Sequence, residues 1–178
     1  MYKITQEALA ILCAVDKRKL AIDFTCGRGF DTFHLAHHFQ VVHAFDVQAI
    51  AIEKTKEKCR FLKNVTYHLC SHEHFDVYVE EFDVGIFNLG YLPHSDKTIT
   101  TNAKTVNKTL AKALLHLRAY GRIVIVVYPG FAQGYQEACA VEAFCEQLPN
   151  YDYDVSKICL LNRKNAPYII RIDKCRHV

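Results

Sequence analysis

Residues 20–32 read LAIDFTCGRGFDT, a pattern typical of a strand, a glycine-containing loop and the start of a helix. The apolar run 20–24 is short and includes an acid, Asp23. This pattern is typical of a buried strand that ends at a ligand site. Gly27 and Gly29 follow where the backbone must turn sharply. Apolar residues then recur at roughly helical spacing, at Phe30, Phe33, Leu35 and Ala36.

The same alternation of strand and helix continues along the chain. Strand patterns occupy residues 41–46, 65–69, 83–87 and 123–127, and a closing β-hairpin is expected at 153–161 and 168–173. Helical patterns occupy residues 49–62, 73–79, 101–117 and 134–147, the third with Leu110, Leu114 and Leu117 on one face. The sequence therefore predicts an α/β fold: a single Rossmann-like domain over residues 1–178, with a mostly parallel seven-stranded sheet, a C-terminal β-hairpin and helices on both faces.

The composition is that of one globular domain and excludes several other classes. The chain has 178 residues, 51% of them hydrophobic, and its apolar runs are shorter than the about 18 residues that a membrane span needs. We therefore expect a cytoplasmic protein without a membrane partner. The eight cysteines include no CxxC pair, and the sequence shows no secretory signal. Buried free thiols are therefore predicted, instead of disulfides or a zinc site. A formal charge of +3 permits an RNA partner without requiring one.

Acidic residues on both sides of the glycine loop indicate the kind of ligand. A dinucleotide-binding loop has the pattern GxGxxG or GxGxxA, whereas the third small position is Thr32 here. Two carboxylates, Asp23 and Asp31, would repel a pyrophosphate but suit a ligand with a cationic end. S-adenosylmethionine carries an ammonium and a sulfonium, so it is the expected cofactor, and an NAD-dependent oxidoreductase is disfavoured.

Further cofactor contacts are expected from the loop and from the second strand. The loop of residues 25–31, with Thr25, Cys26, Gly27, Gly29 and Asp31, would cradle the methionine part, although a Gly-x-Gly turn can also be purely structural. Thr32, which follows the loop, is also expected at the cofactor site. Asp46 ends the second strand, where its two oxygens can accept hydrogen bonds from both ribose hydroxyls.

The loop after the fourth strand, residues 88–93 with the sequence NLGYLP, lies where the transferred methyl group should point. Methyl transfer to a neutral amine needs positioning more than acid-base help. The Asn88 carbonyl oxygen can accept a hydrogen bond from an amine N–H, and Tyr91 would form an adjacent wall. The alternative is that Asn88 only caps the strand and Tyr91 only packs. Residues 128–130, Tyr-Pro-Gly, either close the opposite wall or form a simple turn.

Three histidines share the second predicted helix, at positions i, i+3 and i+4. Such a spacing can hold a metal ion. Because His34, His37 and His38 have no evident carboxylate or cysteine partner in the sequence, no metal site is expected and a partly exposed helix face is predicted.

Several stretches together resemble a known protein family. They are residues 23–32, Asp46, residues 71–73 (Ser-His-Glu), residues 88–93 with the following Asp96-Lys97 and Thr100-Thr101, and residues 162–167 (Asn-Arg-Lys-Asn-Ala-Pro). On these stretches the chain resembles the YtqB-like, or MnmM, family of small class I methyltransferases, first labelled rRNA methylases.

The resemblance implies an enzyme that uses S-adenosyl-L-methionine to modify tRNA. Its reaction would be N-methylation of the 5-aminomethyl group of 5-aminomethyl-2-thiouridine at the wobble position, in the anticodon region. Gln48, Ser71 and His72 would also contact the cofactor, with His72 near the adenine. The sequence does not determine the oligomeric state, and a homodimer is one option, because small tRNA methyltransferases often need two subunits to cover an anticodon arm.

Two departures from the family pattern keep the substrate open. Residues 128–131 are Tyr-Pro-Gly-Phe where the family tends to have Tyr-His-Gly-His, and Pro93 is followed by His94 and Ser95 where the family favours glycines. The alternatives are methylation of rRNA or of a small-molecule amine. An alternative from another class is a non-catalytic module that binds S-adenosylmethionine and interacts with RNA.

Two groups of basic residues are candidates for phosphate contacts. The first is spread around the third predicted helix, as on a solvated surface, and comprises Lys54, Lys56, Lys58, Arg60 and Lys63. The second follows residues 88–93 and is expected nearer the substrate, so we predict that it binds tRNA phosphates: Lys97, Lys104, Lys108 and Lys112.

Overall fold

A computed structural model describes residues 4–89 and 103–175, in which strands and helices alternate as the sequence predicts. The strands are β1 (Leu20–Asp23), β2 (Val41–Asp46), β3 (Val65–Leu69), β4 (Phe82–Asn88), β5 (Leu117–Val127), β6 (Tyr153–Ile158) and β7 (Tyr168–Lys174). The α-helices are α1 (Ile4–Cys13), α2 (Phe30–His38), α3 (Ala49–Lys58), α4 (Ala103–His116) and α5 (Ala132–Glu146). The helix expected over residues 73–79 is a 3-10 helix, His72–Val77. Within the described ranges, no helix has the length and apolarity to cross a membrane.

The seven strands of the described chain form one sheet in the order β3-β2-β1-β4-β5-β7-β6. Strands β1 to β5 pair in parallel, and β7 runs antiparallel to both β5 and β6. The predicted α/β class, with a mostly parallel seven-stranded sheet and a C-terminal β-hairpin, is confirmed. The strand order reverses between β1 and β4, and open sheets of this type bind ligands in the crevice beyond the carboxyl ends at such a point.

Helices cover both faces of the sheet because the central strands are apolar on both faces. On one face, α1 and α2 pack Leu12 and Leu35 against alternate residues of β4 and β5. On the other face, α4 and α5 contribute Leu110 and Val141 to a second, aromatic-rich cluster. In this cluster the ring of Phe24 stacks on that of Phe87, with 4.2 Å between the ring centroids. This packing holds the ends of β1 and β4 side by side.

Helix α1 is an element that the sequence analysis did not predict. Its buried side chains recur at helical spacing, at Ile4, Ala8, Leu9 and Leu12, so the signal was present in the apolar pattern. The helix lies against α2 and β5. Arg122 of β5 donates a hydrogen bond from Nη1 to the carbonyl oxygen of Ile11 at 2.6 Å, which ties the end of α1 to the sheet.

The junction between α4 and β5 differs from the prediction. The helix was expected to reach Leu117 and the strand to open after Gly121, but Leu117 is the first residue of β5 and pairs with Phe82 of β4. The next pair is Val84 with Arg122, so residues 118–121 form a bulge in which Tyr120 has a φ of 63°. Leu117 faces the core from the strand, so pairing with β4 overrides the helical spacing of the leucines.

The prediction about the cysteines is half right. All eight are free thiols, as expected, but only Cys26, Cys59 and Cys145 are buried. Cys139 and Cys159 are exposed, and the remaining three are partly buried. Burial depends on which side of each helix meets the sheet, which the number of cysteines does not indicate.

Candidate active site

A network of polar groups occupies the carboxyl ends of β1, β2 and β4, at the reversal of strand order. Its first member, Asp23, ends β1 and is completely buried. One carboxylate oxygen accepts a hydrogen bond from the Thr25 N–H at 3.2 Å, and the other accepts from the Thr32 hydroxyl at 2.6 Å. The structure thus places the side chain of Thr32, a predicted cofactor-binding residue, on Asp23, where it holds the acid in position.

Asp31 is a second buried acid, in the first turn of α2, with only 6% of its surface exposed. Its Oδ2 accepts a hydrogen bond from the Asn88 Nδ2 at 2.9 Å. The Asn88 backbone N–H donates to the Thr25 hydroxyl oxygen at 2.8 Å. The end of β4 is thus joined to the loop after β1 through Thr25 and to α2 through Asp31, and the structure brings Asn88, Thr25 and Asp31 together.

The surroundings of both carboxyls, Asp23 and Asp31, disfavour their ionisation. Burial, with the added charge of Asp31, raises the pKa of Asp23 to about 8. Burial also raises the pKa of Asp31, against the hydrogen bond from Asn88, which lowers it. Within residues 4–89 and 103–175, the hydrogen bonds to these two carboxyls come from a hydroxyl, a side-chain amide and a peptide N–H, which do not cancel a negative charge. A cation placed between them would stabilise both carboxylates.

The loop between β1 and α2 has the conformation that glycine permits. Gly27 and Gly29 have φ values of 52° and 74°, in the left-handed region. A β-carbon on Gly29 would stand 2.7 Å from the Thr55 Cα, so α3 approaches the loop too closely for a side chain. The Cys26 side chain packs with Ala44 and Ile52, away from the crevice. The backbone N–H of Cys26 donates to the Phe45 carbonyl oxygen at 3.0 Å, which ties the loop to β2.

Asp46 ends β2 beside this loop and is partly buried. Its Oδ2 accepts a hydrogen bond from the Gly27 N–H at 3.0 Å, and its Oδ1 accepts from the Gln48 N–H at 2.9 Å. Each carboxylate oxygen has a second lone pair, so the group can still accept two hydrogen bonds from a diol. Burial raises the pKa of Asp46, and the backbone hydrogen bonds oppose this rise.

Ser71 and His72 lie at the start of the 3-10 helix, and their side chains point to protein partners. The Ser71 hydroxyl accepts a hydrogen bond from the Glu73 N–H at 3.4 Å. The His72 Nδ1 lies 2.8 Å from the Thr109 hydroxyl of α4, and the ring packs edge-on against Phe87. Burial lowers the pKa of His72 to about 4, so the ring is neutral at physiological pH. A cofactor contact by His72 stays a prediction, and it would involve the backbone more than the ring.

Two tyrosines were predicted near the substrate. Tyr91 lies outside the described residues. Tyr128 follows β5, and burial together with the nearby charge of Asp31 raises its pKa to about 12, which keeps the phenol protonated. The sequence analysis missed Thr109 as the partner of His72, because only the packing of α4 against the 3-10 helix brings the two together.

Comparison with known proteins identifies the family. The family model described as "Putative rRNA methylase" matches residues 42–173. A "tRNA (mnm(5)s(2)U34)-methyltransferase, chloroplastic" from Arabidopsis thaliana is 36% identical over 177 residues and 88% of this chain, which spans 63% of the length of that relative.

Two solved structures agree closely with the fold. One, described as a "putative rRNA-methylase" from Clostridium thermocellum, is 30% identical with a TM-score of 0.93 over 98% of both chains. The other, a "putative methyltransferase" from Streptococcus mutans in complex with SAH, is 35% identical with a TM-score of 0.90 over 98% of this chain and 99% of that one. Because the family model covers most of the chain and these structures match nearly all of it, the chain has the class I methyltransferase fold and belongs to the "Putative rRNA methylase" family.

Proposed function

We propose that this chain is an S-adenosyl-L-methionine-dependent methyltransferase. The observation that carries the proposal is the pair of buried acids, Asp23 and Asp31: burial raises the pKa of both carboxyls, and the charge of Asp31 adds to the rise at Asp23. An ammonium group bound at this point would compensate their charge. Family membership and the SAH-bound relative from Streptococcus mutans support the same cofactor.

The remaining cofactor contacts follow from the geometry of the strand ends. Asp46 has lone pairs left for the two ribose hydroxyls, while Gly27 and Gln48 hold its orientation. The loop of residues 25–29 would lie along the methionine part, where Gly27 and Gly29 allow close approach of the backbone. Ser71 and His72 would border the adenine. The bound cofactor supplies an electrophilic methyl group on a sulfonium.

Asn88 is the residue that we assign to the substrate amine. Its Nδ2 donates to Asp31, so its Oδ1 is the atom left to accept a hydrogen bond from an amine N–H. Held this way, a neutral primary amine directs its lone pair at the methyl carbon. The N–C bond forms as the C–S bond breaks, and the resulting secondary ammonium loses a proton to solvent. Tyr91 is proposed to form the adjacent wall of the pocket.

We infer that the substrate is 5-aminomethyl-2-thiouridine at the tRNA wobble position. The name of the Arabidopsis relative supports this substrate, and a primary amine suits the acceptor at Asn88. The same proposal includes three further points. Residues 1–178 form a single domain, the protein is a homodimer, and the homodimer binds the anticodon region of the tRNA. Light scattering of the purified protein, alone and with tRNA, tests the assembly. The family description favours rRNA as the second candidate.

The test is methyl transfer from labelled S-adenosylmethionine to bulk tRNA from cells that lack this protein, followed by nucleoside analysis. Label on the 5-aminomethyl group of 5-aminomethyl-2-thiouridine is expected. Transfer RNA from cells that contain the protein is the control and should accept little label, because its sites are already methylated. Cofactor binding without labelled tRNA would contradict the substrate and direct the search to rRNA, small amines or a non-catalytic role.

A further inference from the structure

Three side chains that can ligate a metal ion meet where α1 ends against α2, outside the candidate active site. Cys13 is the last residue of α1, and His34 and His38 lie one turn apart on α2. Their ligand atoms all lie within 4.8 Å of one another, and the two imidazole centroids are 4.6 Å apart. The sequence analysis expected no metal site because the cysteine belongs to a helix that it did not predict.

The third histidine of α2 does not share this arrangement. The Nδ1 of His37 lies 2.8 Å from the Phe33 carbonyl oxygen of its own helix, and its ring lies 4.5 Å from the Phe33 ring. The structure therefore selects two of the three histidines and adds a thiol from the neighbouring helix.

We propose that Cys13, His34 and His38 bind a zinc ion, with water as a further ligand. A thiolate and two imidazoles are donors that zinc prefers over harder cations. Metal–ligand bonds of about 2.0–2.3 Å place the ligand atoms of a tetrahedral zinc about 3.5 Å apart. The present separations, all within 4.8 Å, exceed that value by about 1.3 Å at most.

The surroundings favour the ligating form of His34 and disfavour that of Cys13 until a metal ion binds. Burial and the neighbouring His38 and His37 lower the pKa of His34, which keeps its imidazole neutral. Burial raises the pKa of the Cys13 thiol, and the Arg18 guanidinium opposes this rise. A bound metal ion would displace the thiol proton and connect α1 directly to α2, whose first turn carries Asp31.

The test is titration of the full chain with Co²⁺ as a spectroscopic substitute, followed by displacement with Zn²⁺. A thiolate–cobalt charge-transfer band with one ion per chain is expected. Cys13→Ser should abolish the band, and His38→Ala, at an exposed position, should weaken Co²⁺ binding at least about tenfold. His37→Ala and Cys139→Ser are matched controls on an exposed histidine and an exposed thiol and should keep the band.

Thermal unfolding gives a second measurement. Zinc at about a hundredfold excess over its Kd should raise the Tm by about 5–10 °C in the unchanged protein and in the controls. His38→Ala should lose this rise. A missing band, or a band and Tm rise that survive in both Cys13→Ser and His38→Ala, would overturn the proposal.

A separate observation carries a second inference, which rests on the proposed function. A groove of about 720 Å³ lies between α2 and the end of α3. It is lined by four cationic side chains, one carboxylate and three phenylalanines: Arg28, Lys54, Lys58, Arg60, Glu57, Phe30, Phe33 and Phe61. Phe30 and Phe61 are 63% and 83% exposed, which is unusual for side chains of this size.

Cations and rings are interleaved along this groove. The Lys58 Nζ lies 3.7 Å from the Phe30 ring centroid, and the Arg60 guanidinium lies 4.7 Å from that of Phe61. Phe30 lies between Gly29 and Asp31 in the sequence, so the groove begins beside the loop between β1 and α2. Basic groups that follow a phosphate backbone, with aromatic rings on which bases stack, are the features of single-strand binding.

Two of the four lysines favoured from the sequence are less suited to this task. Lys108 pairs with Glu73 at 3.2 Å, and Lys112 pairs with Asp76 at 2.7 Å, so acidic partners offset their charges. Lys97 lies outside the described residues. We infer that an unpaired segment of the RNA substrate lies in the groove between α2 and α3, instead of along α4.

The experiment measures tRNA binding by fluorescence anisotropy over a range of salt concentrations. The double variant Lys58→Glu/Arg60→Glu should weaken tRNA binding and flatten its dependence on salt, and Phe61→Ala should weaken it by about 5- to 100-fold. Lys63→Glu, an exposed lysine outside the groove, is the control. Equal tRNA affinity in the groove variants and the control would overturn the inference.

Methyl transfer by the same variants separates this inference from the proposed function. If the groove variants lose tRNA affinity but keep their SAH affinity, RNA binding in the groove is supported. This holds even if the protein without substitutions transfers no methyl group to tRNA. Normal methylation of tRNA by the groove variants would agree with the proposed function and would contradict RNA binding in the groove.

Discussion

Replacing Asp23 with asparagine should stabilise the cofactor-free protein at neutral pH, although it removes an active-site residue. The pKa of Asp23 is about 8 in the folded state, against 3.8 for an ordinary aspartate. Between these pH values the folded state holds a proton that the unfolded state has lost. The free energy of unfolding therefore falls as the pH rises through this window.

The size of the effect follows from the proton difference. One extra proton on the folded state changes the free energy of unfolding by about 1.4 kcal/mol per pH unit. From pH 5.5 to pH 7.5 the contribution of Asp23 to the free energy of unfolding should fall by about 2–3 kcal/mol. The Asp23→Asn protein should show no such loss, because asparagine does not titrate. Asparagine can keep both contacts, because its oxygen accepts from the Thr25 N–H and its amide donates to the Thr32 hydroxyl.

The assay is urea unfolding of the cofactor-free protein at pH 5.5, 6.5 and 7.5. The difference in stability between Asp23→Asn and the unchanged protein should grow with pH. Asp16→Asn, at an exposed position, is the control and should follow the unchanged protein. Parallel curves for Asp23→Asn and the unchanged protein would refute the reasoning that burial and Asp31 hold a proton on Asp23.

Three further substitutions test the site. Asp46→Ala should weaken SAH affinity at least about tenfold, measured by calorimetry, because a bidentate acceptor for the ribose is lost; unchanged affinity would remove Asp46 from the site. Asn88→Ala should lower kcat, and it should also weaken cofactor binding because Asp31 loses its hydrogen-bond donor. A change in the KM for tRNA alone would contradict both the role of Asn88 in holding the amine and its role in holding Asp31. Gly29→Ala should destabilise the fold by about 1–2 kcal/mol or more in urea unfolding, because φ is 74° there. Gly130→Ala, with its nearest atom at 3.7 Å, is the control.

Most of the parallel sheet could be predicted from local patterns. The apolar runs of β1 to β5 and the glycine loop are contiguous in sequence, and buried strands in such sheets are continuously apolar. Asp46 and Asn88 could be found for the same reason, because each ends a strand. The bulge before Arg122 could not, since it depends on which residues of β4 and β5 face each other.

The sequence by itself determined the fold class, the positions of the loops after the strands and the acidic character of the first loop. These features depend on residues close together in the chain. Only the tertiary structure decided that Asn88 holds Asp31, that His72 turns to Thr109, and that Cys13 joins His34 and His38. Each of these contacts joins segments at least 21 residues apart, and the packing of helices on the sheet brings them together. Because residue spacing in the chain says nothing about that packing, these groups are recognisable only in the folded protein.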